Sequence, residues 1–320
     1  MYIIKRFYNN YLRRSISTKK CNIKMYEYES ASNPSMTKIP IRVLKNDINE
    51  SSNAIKINYF DLSSDLNTDY KATSPNLLAS FINVKKNCGF TYRTSASTNM
   101  FYVISGKGKL ENSDMNYDVS TGDIITTPYN CNGTRIKSDK DKNLLLYHVD
   151  DSPLMKYLGV ISNRKIVPST IYKKDEIINF MNKTNNEVGA KDRNRNGVLL
   201  GNTITEKLGT KTLTNVLWSL YNIIKPNSIQ KPHKHNSVAL DLCTYAVDGK
   251  VYTLIGKELD KNGKILNPEK IYWKTNCAFT TPPGYWHSHV NESEEDAYVL
   301  PVQDAGLYTY QRTLDIQFVR

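Results

Sequence analysis

Apolar positions in this chain come in short runs broken by glycine. From about Pro75 the runs are Leu77 to Val84, Met100 to Ile104, Asp123 to Thr127 and Leu144 to Val149. Runs of that length, with a turn every ten residues or so, predict an antiparallel sandwich or barrel. Pro153-Leu154-Met155-Lys156-Tyr157-Leu158 predicts a helical turn that closes this unit. The pattern loosens over 161–212. Lys173 to Lys183 has helical spacing, with Ile177, Ile178 and Met181 on one face, and a glycine- and charge-rich loop follows from Glu187 to Gly201. Strand patterning resumes near Leu213 and runs to the C-terminus, with Asp260-Lys261-Asn262-Gly263 as a turn suited to positive φ. Ahead of all this, 27–74 is polar and turn-rich with one strand-like patch, Ile55 to Phe60, and reads as an arm wrapped on the body.

The two β-rich stretches resemble each other. Ser105-Gly106-Lys107-Gly108 and Thr121-Gly122-Asp123-Ile124-Ile125-Thr126-Thr127-Pro128 correspond to Val247-Asp248-Gly249-Lys250 and Thr275-Asn276-Cys277-Ala278-Phe279-Thr280-Thr281-Pro282. The shared Thr-Thr-Pro anchors the register. The reading is a duplicated barrel: a first copy over 75–160, a helical and loop connection over 161–212, and a second copy over 213–320.

Only five histidines occur, and four of them lie in Pro232-His233-Lys234-His235 and Pro282-Pro283-Gly284-Tyr285-Trp286-His287-Ser288-His289-Val290-Asn291. On a strand, His-x-His presents two imidazoles on one face. A third from a distant strand completes one side of a metal's shell and leaves other positions open. The first copy lacks such residues: Arg93, Ser95 and Gly133 stand near the expected ligand positions, so that barrel is expected to hold no metal.

These motifs resemble the cupin superfamily, whose first motif is approximately G-x5-H-x-H-x3/4-E-x6-G and whose second is G-x5-P-x-G-x2-H-x3-N. Pro282, Gly284, His287 and Asn291 match the second motif, and His233 and His235 match the core of the first. Asn227 replaces the opening glycine, and asparagine also accepts left-handed backbone. The motif's glutamate is missing: Ala239 and Leu240 hold its places, with Asp241 one step beyond. Three histidines without the glutamate, followed by Trp-His-x-His, are similar to the gentisate 1,2-dioxygenase group. The resemblance spans about 75–320 and implies a mainly β fold of two cupin barrels (double-stranded β-helix, jelly roll) joined by short helices. Familiar members carry their iron in the first barrel, whereas here only the second has the ligands.

The resemblance implies His233, His235 and His287 as metal ligands. His289 is expected behind them or facing substrate. Asp241 is a candidate fourth ligand or base, and Gln230, Gln303 and Arg312 are candidates for holding a carboxylate or polarising a carbonyl. Trp273, Tyr285 and Trp286 are candidate pocket walls, and His148 is a core histidine. The implied cofactor is Fe(II), with Mn(II), Zn(II) or Ni(II) as alternatives. The implied reaction is ring opening of a hydroxylated aromatic acid by dioxygen, in a homo-oligomer. Two other readings remain open: a non-oxidative cupin enzyme (isomerase or amidohydrolase) with a Lewis-acid metal, and a bicupin that holds metal without turnover.

Charge changes the picture in one place. Residues 1–26 hold Lys5, Arg6, Arg13, Arg14, Lys19, Lys20 and Lys24 with no acid, and so supply +7 of the net +12. This stretch resembles a mitochondrial presequence, with Arg14 or Ser15 near a processing point, and implies a matrix location; a basic tail ahead of a start at Met25 would leave the protein cytoplasmic. The rest shows no compact basic cluster interleaved with aromatics, so no nucleic-acid partner is expected. No apolar run reaches the length of a membrane span. The five cysteines include no C-x-x-C pair, which fits a reducing compartment.

Overall fold

A computed structural model describes residues 22–46, 53–190 and 194–319. The expected presequence lies almost wholly outside the described residues. Residues 22–37 belong to a separate unit and carry one helical turn, α1 (Tyr28–Ala31), capped by the Glu27 carboxylate on the Glu29 and Ser30 amides.

Everything from Lys38 onward forms one unit of two β-barrels. In chain order it holds β1 (Val43–Leu44), β2 (Ile55–Phe60), α2 (Ser63–Leu66), β3 (Leu78–Val84), β4 (Gly89–Tyr92), β5 (Thr98–Ser105), β6 (Lys107–Asn112), β7 (Met115–Ser120), β8 (Ile124–Pro128), β9 (Thr134–Ser138), β10 (Leu144–Asp150) and α3 (Ser152–Leu158). The second half adds β11 (Thr170–Tyr172), α4 (Lys174–Asn185), β12 (Asn196–Leu199), α5 (Thr203–Lys207), β13 (Trp218–Ile224), β14 (Ser228–Ile229), β15 (His233–His235) and β16 (Ala239–Tyr245). It ends with β17 (Val251–Gly256), β18 (Glu269–Tyr272), β19 (Cys277–Thr281), β20 (Trp286–Asn291), β21 (Ala297–Gln303), α6 (Ala305–Gln311) and β22 (Ile316–Phe318).

Each barrel is a pair of sheets. The first combines β11-β8-β5-β10-β3-β2 with β4-β9-β6-β7; the second combines β1-β19-β16-β21-β13-β12 with β18-β17-β20-β15-β22. The two six-stranded sheets face each other. Phe81, Met100 and Tyr147 from one meet Leu240, Leu242, Leu300 and Val302 from the other in a shared core. Their opposite faces fill the barrels: Ile82, Phe101, Val103 and Leu146 in the first, and Cys243, Phe279 and Val299 in the second. This explains the unbroken apolar runs. All seven residues of β3 and of β10 are buried because both faces of their sheet are covered. The outer strand β9 instead alternates buried and exposed.

The segments read as arm and connection each contribute strands to the barrels, and the helix expected over Lys173 to Lys183 is α4. β2, inside the expected 27–74 arm, pairs with β3 along its whole length, and β12, inside the glycine- and charge-rich loop, pairs with β13. Two further strands cross over. β1 precedes the first barrel yet pairs with β19 of the second, setting Val43 against Phe279; β11 precedes the second barrel yet pairs with β8 of the first, setting Ile171 against Ile125. Ile39-Pro40-Ile41-Arg42-Val43 and Val167-Pro168-Ser169-Thr170-Ile171 are thus equivalent, and the repeat begins earlier than Thr-Thr-Pro alone reveals. Thr280 fastens the first crossing: its hydroxyl donates to Pro40 O (2.6 Å) and accepts from Arg42 N (2.9 Å).

Because the shared core joins the barrels, Leu240→Ala should destabilise both together, by about 2–5 kcal/mol. Urea unfolding followed separately through each barrel should show one coincident transition moved to lower urea. A shift confined to the second barrel would show that the two sheets are not coupled.

Candidate metal centre

β15 and β20 are neighbours in the outer sheet of the second barrel, and their register places His233 directly against His287. Pro282-Pro283-Gly284 turns the chain into β20, with Gly284 at φ +77° and its amide donating to His235 O (2.7 Å). The turn therefore fixes β20 against the strand that carries the other two imidazoles. Asn227 sits at φ +50°, as its place in the motif requires. Asn291 holds the far end of β20, donating to Ile224 O (2.9 Å) and Glu295 O (2.7 Å).

His233, His235 and His287 offer ligand nitrogens that all lie within 4.8 Å of one another, and no carboxylate among the described residues joins the group. A metal about 2.1 Å from each nitrogen allows separations up to about 4 Å, so closure needs shifts below about an ångström. Two rings are oriented for ligation. His235 Nδ1–H donates to Ser237 O (2.9 Å) and His287 Nδ1–H to Tyr285 O (3.1 Å), which leaves the lone pair of each ring on Nε2. His235 Nε2 is buried without a hydrogen-bond partner, a vacancy in its bonding that a metal ion would fill. Burial drops the His235 pKa to about 4 and holds His287 well below the ordinary imidazole value. Both rings therefore stay neutral and able to ligate through neutral and mildly acidic pH. The residues present fit a divalent metal.

His289 lies two residues further along the same inward-facing row and outside the close group. Its Nδ1 shares a 2.9 Å hydrogen bond with Thr253, whose hydroxyl also accepts from Trp273 Nε1 (2.8 Å). Trp273 is thus an inner wall, whereas Trp286 and Tyr285 lie beneath Lys234 and Lys257 on the outer side. Gln303 stands two links behind His235: its Oε1 accepts from Ser237 Oγ (2.7 Å), and Ser237 in turn touches the His235 ring. Gln230 is buried against Asn222.

Two expected site residues are not part of the ligand group. Asp241 points into the second barrel but accepts from Thr281 Oγ1 (2.6 Å), and it is not part of the histidine group. Burial raises its pKa to about 7. Arg312 is exposed at the end of α6, where the chain turns at φ +62° and the guanidinium folds back onto Tyr310. It does not reach the site.

The first barrel needs a one-residue correction. β4 sets Tyr92 against Thr134 as β15 sets His233 against His287, so Thr134 rather than Gly133 is the counterpart of the third ligand. The turn after Pro128 is one residue longer than the turn after Pro282, and this shifts the count. Tyr92, Phe101 and His148 pack together there; His148 Nε2–H donates to Asn99 Oδ1 (3.1 Å), and its Nδ1 accepts from Ser80 Oγ (3.3 Å). His148 is a satisfied core residue.

Sequence reasoning missed Arg195, which approaches the centre from the start of β12. Its Nη2 lies 2.8 Å from His233 Nδ1 and 2.5 Å from Lys231 O, and its guanidinium stacks over Phe318 at 4.9 Å. No local motif flags it. It is brought in by the β12–β13 pairing and by Asn194 Oδ1, which accepts from Lys231 N (2.6 Å).

With the geometry in hand, comparison with solved structures becomes informative. The chain superposes on a salicylate 1,2-dioxygenase variant from Pseudoaminobacter salicylatoxidans in complex with gentisate, with TM-score 0.69, 10% identity, and 98% of this chain and 93% of that chain covered. The fold is that of a bicupin. A second variant of the same enzyme gives TM-score 0.67 over 99% and 98% of the two chains at 10% identity. Procruciferin, an 11S globulin from Brassica napus, gives TM-score 0.55 at 12% identity over 88% and 86%. No protein-family profile and no curated protein matches the sequence. The chain therefore shares its two-barrel fold with proteins of at least two different kinds, and its chemistry follows from its own residues.

His233→Ala and His287→Ala should each abolish stoichiometric metal binding while leaving the circular dichroism spectrum unchanged; full metal retention in either would defeat the ligand assignment. Asp241→Asn should leave metal content intact and change the pH profile of stability. A raised folded pKa makes this group's contribution fall as pH rises from about 4 to 7. The variant should gain on the wild type by up to about 1.4 kcal/mol per pH unit in that window, then level off. Parallel urea midpoints between pH 5 and 8 would show the same slope in both proteins if Asp241 does not titrate there.

Proposed function

We propose that the second barrel is the centre of a non-haem Fe(II) dioxygenase that opens the ring of a small hydroxylated aromatic acid. The observation that carries this reading is a group of three imidazoles, two of them buried, with no carboxylate among the described residues in the group. Neutral ligands leave the charge of a divalent ion uncompensated, so an anionic substrate is favoured at the remaining positions. When bound, ferrous iron would supply adjacent open positions for a bidentate anion and for dioxygen.

The chain's own residues do the positioning. Tyr285 O and Ser237 O hold two ligand rings in one tautomer, and Gln303 steadies Ser237. Ala239 and Leu240, where the usual glutamate would stand, are buried and apolar, which keeps a fourth protein ligand out. Likeness to a salicylate dioxygenase that binds gentisate supports the substrate class. A second reading is a bicupin that holds metal without turnover, since the fold is shared with proteins of more than one kind. The protein is also proposed to act as a homo-oligomer.

Protein loaded with Fe(II) under argon should consume dioxygen when given salicylate or gentisate, and His235→Ala should not. Metal retained without uptake across that panel would favour the binding reading. Turnover that needs Mn(II) or Zn(II) and proceeds without oxygen would favour Lewis-acid chemistry.

A further inference from the structure

Arg195 is an unusual neighbour for a metal centre. It is a cation placed against one of the three imidazoles, and no carboxylate among the described residues pairs with it. Its Nε is buried with no acceptor. A guanidinium has donors only, so the His233 nitrogen facing it must present a lone pair. His233 therefore differs from its two companions. Their Nδ1 atoms donate to main-chain carbonyls and leave Nε2 free. In neutral His233 the proton is left on Nε2, and the lone pair at Nδ1 is engaged by Arg195.

We propose that Arg195 makes metal binding and anion binding cooperative: the guanidinium and the metal compete for His233, and an anion that draws the guanidinium away releases the imidazole to the metal. This rests on the reading of the three histidines as a metal centre. The forces point one way. Metal ligation through Nε2 moves the His233 proton to Nδ1, where it would meet the Nη2 donor head-on. Ligation through Nδ1 needs the place Nη2 holds. Either way Arg195 has to leave, and as a partly buried cation with no carboxylate partner among the described residues it is stabilised wherever an anion meets it. Phe318, which lies beneath Arg195 and stacks on His233 with 11° between the rings, offers a flat face over which the guanidinium can slide.

The test begins without metal. In chelator-treated protein labelled with ¹⁵N-histidine, long-range ¹H–¹⁵N spectra should show His233 protonated at Nε2, with His235 and His287 protonated at Nδ1. Zn(II) affinity is then measured by chelator competition with and without benzenesulfonate, an aromatic anion that ligates metals poorly. The anion should tighten Zn(II) binding about tenfold in the wild type, and Zn(II) should tighten anion binding by the same factor. Arg195→Met, which keeps the apolar stem over Phe318, should bind Zn(II) tightly without the anion and show no anion effect. A His233 proton on Nδ1 in the wild type, or an equal anion effect in both proteins, would overturn the inference while leaving the metal centre standing. Absence of Zn(II) binding in the wild type would remove the metal reading and this inference with it.

Discussion

Two six-stranded sheets packed face to face set the terms for the rest of this molecule. Their shared core, from Phe81 and Tyr147 across to Leu240 and Leu300, buries the inner strands on both sides. Strands so placed have little room for polar chemistry; the outer sheets, with one face toward the barrel interior and the other toward solvent, do. The histidine group sits on such strands, β15 and β20, where one face is dry enough to keep imidazoles neutral. The inner sheet behind it gives the rigidity that a ligand set needs.

Within the centre, desolvation outweighs every other electrostatic effect. It is the largest influence on His233, His235, His287 and His289, all lowered, and on Asp241, raised. The site thus avoids charge of its own apart from the Arg195 guanidinium. Such a cavity keeps imidazole lone pairs free for a metal ion, while its guanidinium favours an anion.

Much of this was legible in the sequence. Short apolar runs gave the β class, Thr-Thr-Pro exposed the duplication, and His-x-His with a third histidine picked out residues that the fold does bring together. Each omission has a local cause. The crossing strands β1 and β11 are two and three residues long, too short for any periodicity to show. The Gly133 miscount came from one extra turn residue, invisible until strand register fixes the correspondence. Arg195 lies in a charge-rich stretch, where a single arginine that turns inward looks like its solvated neighbours. Arg312 failed for the opposite reason: a left-handed helix end sends its side chain back along the surface, which spacing alone does not disclose.

The crossing strands have a further meaning. Val43 pairs with Phe279 and Ile171 with Ile125, so each copy of the repeat lends its leading segment to the sheet of the other at the same relative register. Joining two identical barrels end to end does not by itself create such reciprocity. Fusing the subunits of a strand-exchanged dimer does, because each subunit already completes its twin. Each half of the repeat completes the other's sheet, yet the two enclose different things: one is packed around Tyr92 and His148, while the other carries the histidine group.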